Sequence, residues 1–190
     1  MHELATIPFE RSAATDWTAA GHASIRFSPR ALTGAALVKA GRRIDLATQI
    51  SSAEGIRLPA PTTWAANGST LWLWQGPREW LLIDNTISGA ELAERTRRSI
   101  DDVTAVALDV TDRVMLLDIS GSAADLLLAK GTSLARALLP MGACCRTRFA
   151  NLQATVFREN ASSDFSLITE RATGVYLHKW LSRAARDLAV

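Results

Sequence analysis

The residues whose types could do chemistry are a serine at a strand-to-helix turn, two aspartates three apart, two adjacent cysteines and three histidines. Ser120 follows the apolar run Val114-Met115-Leu116-Leu117-Asp118-Ile119 and precedes Gly121, the position of the nucleophile in a hydrolase elbow. That elbow needs glycines two residues to either side, for steric reasons. Here those positions are Asp118 and Ser122, so Ser120 reads as a turn serine. An anion site at the same helix start is no better supported, because there is one glycine and the next basic residue, Lys130, lies at the far end of the helix. Asp109 and Asp112 could be paired carboxylates, but they flank a strand junction, where turn aspartates need no catalytic role. Asp118, inside the apolar run, is expected on an exposed face or near an edge. His2, His22 and His178 are too scattered for a metal cluster. Cys144-Cys145 fits neither a disulfide framework nor a zinc knuckle. Only Arg146 and Arg148 are near enough to lower a thiol pKa, so both cysteines read as ordinary thiols. No Gly-x-Gly-x-x-Gly supports a nucleotide site. The expectation is no catalytic, cofactor-binding or metal-ligating residue on this chain.

One stretch stands out for another reason. Six tryptophans are present, and Trp72 and Trp74 share one face of one strand while Leu71 and Leu73 occupy the other. A half-exposed strand should alternate apolar with polar, and this one is apolar on both sides. Helices can cover one face. The other must meet either the second half of the chain or another protein. Two such rings amount to about 300–500 Å² of burial, as much as the largest apolar patch of a typical monomer. Tryptophan's enrichment at interfaces tilts the expectation toward Trp72 and Trp74 as partner-facing residues, with Leu71 and Leu73 under helices.

The elements that must position these residues follow from periodicity. Residues 1–33 are broken by Pro8, Gly21 and Pro29, with Trp17 and Phe27 as isolated apolar residues. They read as a weakly patterned, partly ordered extension or an arm that orders on a partner, ahead of a single domain over 34–190. A short strand is expected at 35–39. Ile44, Leu46, Ala47, Ile50 and Ala53 recur at helical spacing, with Gly55 placed as a C-terminal cap. Residues 58–61 form a loop. Strands at 71–75 and 79–84 make a hairpin about Gly76-Pro77. Ser88 and Glu91 form a capping box for a helix with Leu92, Ala93, Thr96 and Ile100 inward and Arg95, Arg97 and Arg98 in solvent. A strand at 103–110 completes β-α-β-β-α-β, a ferredoxin-like split unit. A second unit, β-α-β-β-β-α, begins with the strand at 114–119. Ser122 should cap its helix with Asp125 as acidic partner, Leu126, Leu127 and Ala129 should face inward, and Gly131 should end it. Residues 134–141 link to strands at 146–149, 152–158 and 164–169. The last helix, 171–189, presents Leu177, Trp180, Leu181, Ala184 and Leu188 on one face. The fold class is α+β, largely antiparallel sheets packed with helices.

Composition bounds the function. The chain has 190 residues, 48% hydrophobic and 21% charged, with net charge +2, as in an ordinary globular protein. The longest basic runs are the pairs Arg42-Arg43 and Arg97-Arg98, which is no nucleic-acid footprint. No apolar stretch approaches the roughly 20 residues of a membrane helix. The first residues show no secretory signal, and cysteine usage suits a reducing cytoplasm.

Three stretches carry a family resemblance. Asp109-Val110-Thr111-Asp112-Arg113, with the apolar strand after it, Ser120-Gly121 and Leu128-Ala129-Lys130-Gly131, resembles the gamma subunit of heterotetrameric sarcosine oxidase. The run from Leu71 to Leu82, containing Gly76-Pro77-Arg78-Glu79-Trp80, is similar to that family's Leu-Gly-Pro-Asp-Glu-Trp-Leu-Leu segment. The layout from Arg146-Thr147-Arg148 through Asp164-Phe165 to Trp180-Leu181 is similar to its C-terminal third. The likeness spans about residues 34–188. It departs at Thr132, where the family's cysteine is expected. The resemblance implies part of the folate-binding aminomethyltransferase fold. It also implies a non-catalytic subunit of a complex that oxidatively demethylates sarcosine to glycine, making hydrogen peroxide and formaldehyde or methylene-tetrahydrofolate. FAD, FMN, NAD and tetrahydrofolate would lie on partner subunits, and the partners would be alpha, beta and delta, chiefly alpha. Two alternatives stand beside it. One is a gamma-like chain of a sister complex acting on another N-methyl amino acid or betaine-derived amine. The other is a free-standing folate-binding protein, although Lys130-Gly131-Thr132-Ser133-Leu134-Ala135-Arg136 does not match the Lys-Gly-Cys-Tyr-x-Gly-Gln segment of one such branch.

Overall fold

The computed structural model describes residues 24–41, 49–50, 55–100, 105–159 and 164–188. Their strands are β1 (Arg26–Arg30), β2 (Gly34–Lys39), β3 (Trp64–Asn67), β4 (Thr70–Gly76), β5 (Glu79–Asp84), β6 (Val106–Asp109), β7 (Val114–Ser120), β8 (Cys144–Phe149), β9 (Leu152–Phe157) and β10 (Phe165–Glu170). Their full helices are α1 (Gly89–Arg98), α2 (Ala124–Gly131) and α3 (Gly174–Asp187).

Two antiparallel five-stranded sheets result, ordered β3-β4-β5-β2-β6 and β1-β7-β10-β9-β8. Their inner faces pack together through Ala35, Leu73, Leu81 and Ile83 of the first and Val114, Leu116, Cys144, Phe157 and Ile168 of the second. The outer face of the first sheet packs on α1 through Trp72, Trp80, Leu82, Leu92 and Ala93, joined by Ile50. The outer face of the second packs on α2 and α3 through Leu117, Ile119, Phe149, Leu127, Leu177 and Leu181. The order is helix, sheet, sheet, helices, and central strands such as β4, β5 and β7 are largely apolar on both faces because both faces are covered. The expected α+β class and both units are present. The first helix of the first unit lies mostly outside the described residues, which show only 49–50 as helical.

Several local expectations need correction. The strand β1 pairs with β7 in the register Phe27↔Ile119, and Phe27 is 2% exposed. The fold therefore begins inside the stretch assigned to an extension; residues 1–23, with Trp17, lie outside the described residues. The strand β3 was not expected. It joins β4 through the two-residue loop Gly68-Ser69, with Asn67↔Thr70 as the closing pair and Gly68 at φ +58°. Asn67-Gly68 is a hairpin signal, but Trp-Ala-Ala-Asn lacks the alternation that marks a strand.

The capping box at α1 holds in part: the Glu91 amide donates to Ser88 Oγ at 3.2 Å. At α2 the N-cap is Ala123 with no side-chain cap, so Ser122 has no such role. The buried side of α2 is Ala124, Leu127 and Leu128, whereas Leu126 is 59% exposed. A helix rotated by one residue follows when the chain enters it one residue late. Gly131 is the last helical residue, and its role is space: a Cβ there would meet the Phe149 ring at 2.4 Å. Arg95 is only half in solvent, because its guanidinium donates to Thr70 Oγ1 at 2.9 Å. The last helix starts at Gly174, after a 3-10 turn at Arg171–Thr173.

Candidate functional site

Polar residues collect at the two open ends of the layer between the sheets, where the strands run out and helices no longer seal the edges. At one end, Arg30 of β1 reaches across β7. Its guanidinium donates to Asp118 Oδ2 at 3.0 Å and Oδ1 at 2.7 Å, to Glu159 Oε2 at 2.5 Å and to Ser166 Oγ at 3.0 Å. Ser166 in turn donates to Asp118 Oδ1 at 2.6 Å. Burial alone would lower the Arg30 pKa; the hydrogen bonds and attraction of Asp118 and Glu159 outweigh it and raise the value. On the other, α1-facing side of the first sheet, beyond Trp80 and Leu82, Asp84 accepts from Ser69 Oγ at 2.9 Å, Thr70 Oγ1 at 2.5 Å, Thr86 N at 2.7 Å and Thr86 Oγ1 at 2.6 Å. Burial would raise the Asp84 pKa, but these donors hold it well below the usual carboxylate range.

The opposite end is a cleft of about 90 Å³. It is lined by the last inward residue of β4, Gln75, by Glu79 of β5, Arg113 and Val114 at the start of β7, Arg146 of β8 and Thr155 of β9. Thr155 Oγ1 donates to Gln75 Oε1 at 2.7 Å. Gln75 is 8% exposed, and its amide nitrogen has no partner. Arg146 donates to Glu79 Oε1 at 3.3 Å and Gln153 Oε1 at 2.9 Å. Arg113 donates to Glu170 Oε1 at 2.9 Å. Lys39 Nζ stands 3.4 Å from Glu79 Oε2. The arrangement can hold a small polar ligand; its polar groups are hydroxyls, side-chain amides and two carboxylates each paired with a guanidinium, with no imidazole or thiol in the lining.

The residues singled out from sequence do not converge. Asp109 accepts from Thr111 N at 2.9 Å and Thr111 Oγ1 at 2.7 Å, the turn role expected of it. Asp112 is exposed on the 3-10 turn at Thr111–Arg113. Ser120 pairs with Arg26 at the β1–β7 edge. Cys144 packs between the sheets, where burial first, and Cys145 beside it, push its pKa up to about 12. Burial also raises that of Cys145, so neither thiol is activated and both are free. His178 is half-buried on α3, and among the described residues no group of three or more His, Cys, Asp or Glu could hold a metal. Thr132, at the C-terminal cap of α2, bonds Thr147 Oγ1 at 3.2 Å.

Trp72 is not partner-facing as expected, and Trp74 lies on the same side of the sheet. Trp72 is 0% exposed and Trp74 half-buried, both against the α1 side of the sheet. Leu71 and Leu73 face the second sheet instead. The wide rings fill the deep layer under a single helix, while the narrow leucines suit the close face between two sheets.

The match to known proteins is consistent with this architecture. The model of the sarcosine oxidase, gamma subunit family matches residues 41–187. This chain belongs to that family. A chain in the structure of heterotetrameric sarcosine oxidase from Corynebacterium sp. U-96, in complex with pyrrole 2-carboxylate, has the same fold: TM-score 0.79 at 22% identity, covering 93% of each chain. Glycine cleavage system aminomethyltransferase T from Bartonella henselae is similar over 90% of this chain and 52% of its own length, with TM-score 0.63 and 12% identity. This chain thus spans about half of that aminomethyltransferase. No curated protein matches the sequence. The three stretches that carry the resemblance each reach the cleft: Gln75 and Glu79 come from the run Leu71 to Leu82, Arg113 from the one that begins at Asp109, and Arg146 from the C-terminal one.

Proposed function

We propose that this chain is a non-catalytic subunit of a sarcosine oxidase-type complex, which demethylates sarcosine oxidatively to glycine and releases hydrogen peroxide with formaldehyde or methylene-tetrahydrofolate. The observation that carries the reading is the gamma subunit family match over residues 41–187. The geometry supports it from the other side. A cleft of about 90 Å³ is far smaller than the roughly 300–1,000 Å³ that surrounds a drug- or cofactor-sized ligand, and its lining pairs no nucleophile with a base. FAD, FMN, NAD and tetrahydrofolate then belong to the partners, an alpha, a beta and a delta subunit, with alpha as the chief contact. With Trp72 inside the core, that contact uses other surface residues. Among the described residues no helix is long and apolar enough to cross a membrane.

The test is purification of the full chain alone and co-expressed with its large flavoprotein partners. Alone it should be colourless, inactive toward sarcosine, and without tight binding of tetrahydrofolate by calorimetry under reducing conditions. Co-expressed, it should elute with a flavin-containing assembly that produces hydrogen peroxide from sarcosine. A stoichiometric flavin band or sarcosine oxidation by the lone chain would sink the subunit reading. Micromolar one-to-one folate binding would establish the free-standing folate reading instead. Turnover of the assembly with other N-methyl amino acids distinguishes sarcosine from a sister substrate.

A further inference from the structure

We propose that the cleft between the sheets is a binding site for a small carboxylate of two or three carbons. The inference does not rest on membership in an oxidase complex. Its first support is Gln75. The Thr155 hydroxyl satisfies one end of this amide at 2.7 Å, and the nitrogen at the other end has no partner although the residue is only 8% exposed. A threonine hydroxyl both donates and accepts, so one end of the amide stays unpartnered whichever way it is turned. A buried polar group in a native fold is nearly always paired, and this one lines the cleft.

The second support is charge. Arg113 and Arg146 face Glu79 and Glu170 across the cleft, and Lys39 approaches Glu79 from outside at 3.4 Å. The two cations and two carboxylates of the lining balance, and Lys39, outside the lining, supplies one further positive charge that draws on Glu79 and leaves Arg146 less fully matched. The Glu79 contact of Arg146 is long at 3.3 Å, and a guanidinium has five N–H groups, so Arg146 can turn one toward an incoming oxygen. The third support is size and lining. About 90 Å³ is roughly the space of three waters, and Leu81 and Ile168 form part of the wall. That suits a carboxylate with a short aliphatic tail.

The test is an NMR titration of the full ¹⁵N-labelled chain with sodium acetate and with glycine, and with sodium chloride at matched ionic strength as control. The side-chain amide signals of Gln75 are assigned by their loss in Gln75→Glu. Saturable movement of those signals with acetate or glycine, absent with chloride, is the expected result. Acetate alone would assign a plain carboxylate; preference for glycine would add an ammonium contact to Glu79 or Glu170. Gln75→Glu should weaken binding roughly tenfold through repulsion, followed by the shifts of neighbouring backbone amides. The exposed variant Arg146→Gln should weaken it too and serves if Gln75→Glu does not fold. No saturation with either ligand means that the cleft holds only water. Unchanged affinity in the variant that folds places binding elsewhere. Either result overturns the proposal.

Discussion

The two ends of the layer between the sheets are built from the same residue types to opposite effect. At the Arg30 end, one guanidinium is shared by Asp118, Glu159 and Ser166; a second satisfied knot, on the α1 side of the first sheet, has Asp84 accepting from both Thr70 and Thr86. The Arg30 bonds cross from β1 to β7 and β10, so this end staples the first strand of the chain to its second sheet. At the Gln75 end, the ion pairs are exposed and longer, and a buried amide keeps a free end. Satisfied polar knots stabilise and specify a fold, whereas a partly satisfied one leaves a group that an incoming ligand can pair.

The two ends should separate under mutation. Asp84→Ala leaves the buried Thr70 hydroxyl and the part-buried donors of Ser69 and Thr86 without their acceptor and should lose about 3 kcal/mol by urea denaturation at neutral pH. The same carboxylate sets an acid dependence. Its pKa is depressed in the fold, so its contribution is fully present above about pH 4, the unfolded value, and is lost as pH falls below it. Between about pH 4 and 2 the stability of wild type should fall more steeply than that of Asp84→Ala; parallel curves would show the knot to be thermodynamically idle. Arg30→Met removes the cation from two partly buried carboxylates and should lose about 2–3 kcal/mol, with faster hydrogen exchange along β1. At the other end, Arg146→Met should lose about 0.5 kcal/mol or less, since its side chain is 41% exposed and such pairs contribute little.

Sequence patterning located most of the scaffold and little of the site. The long helix α3 and the hairpin of β4 and β5 were legible because each repeats one period over enough residues. Strand β1 was not, because Arg-Phe-Ser-Pro-Arg holds one inward apolar residue and a proline tolerated at a sheet edge. Losing β1 also hid the partner of Asp118, which is why that residue looked merely exposed. The tryptophans misled for a related reason. Periodicity puts Trp72 and Trp74 on one face and Leu71 and Leu73 on the other, but it does not say which face meets a helix and which meets a sheet. Gln75 was visible only as the end of an apolar strand. Its meaning depends on Thr155, 80 positions away, and no local pattern carries such a pairing.

The most direct measurement of the difference between the two ends is the unfolding free energy of Gln75→Leu set beside that of Arg30→Met. Leucine fills nearly the same volume and removes the unpaired amide at the cost of leaving the exchangeable Thr155 hydroxyl. We expect a change within about 1 kcal/mol of zero for Gln75→Leu, against the loss of about 2–3 kcal/mol for Arg30→Met. A loss at Gln75 as large as that at Arg30 would mean that the cleft end is as much a structural fastening as the other, and would contradict the assignment of one end to stability and the other to binding.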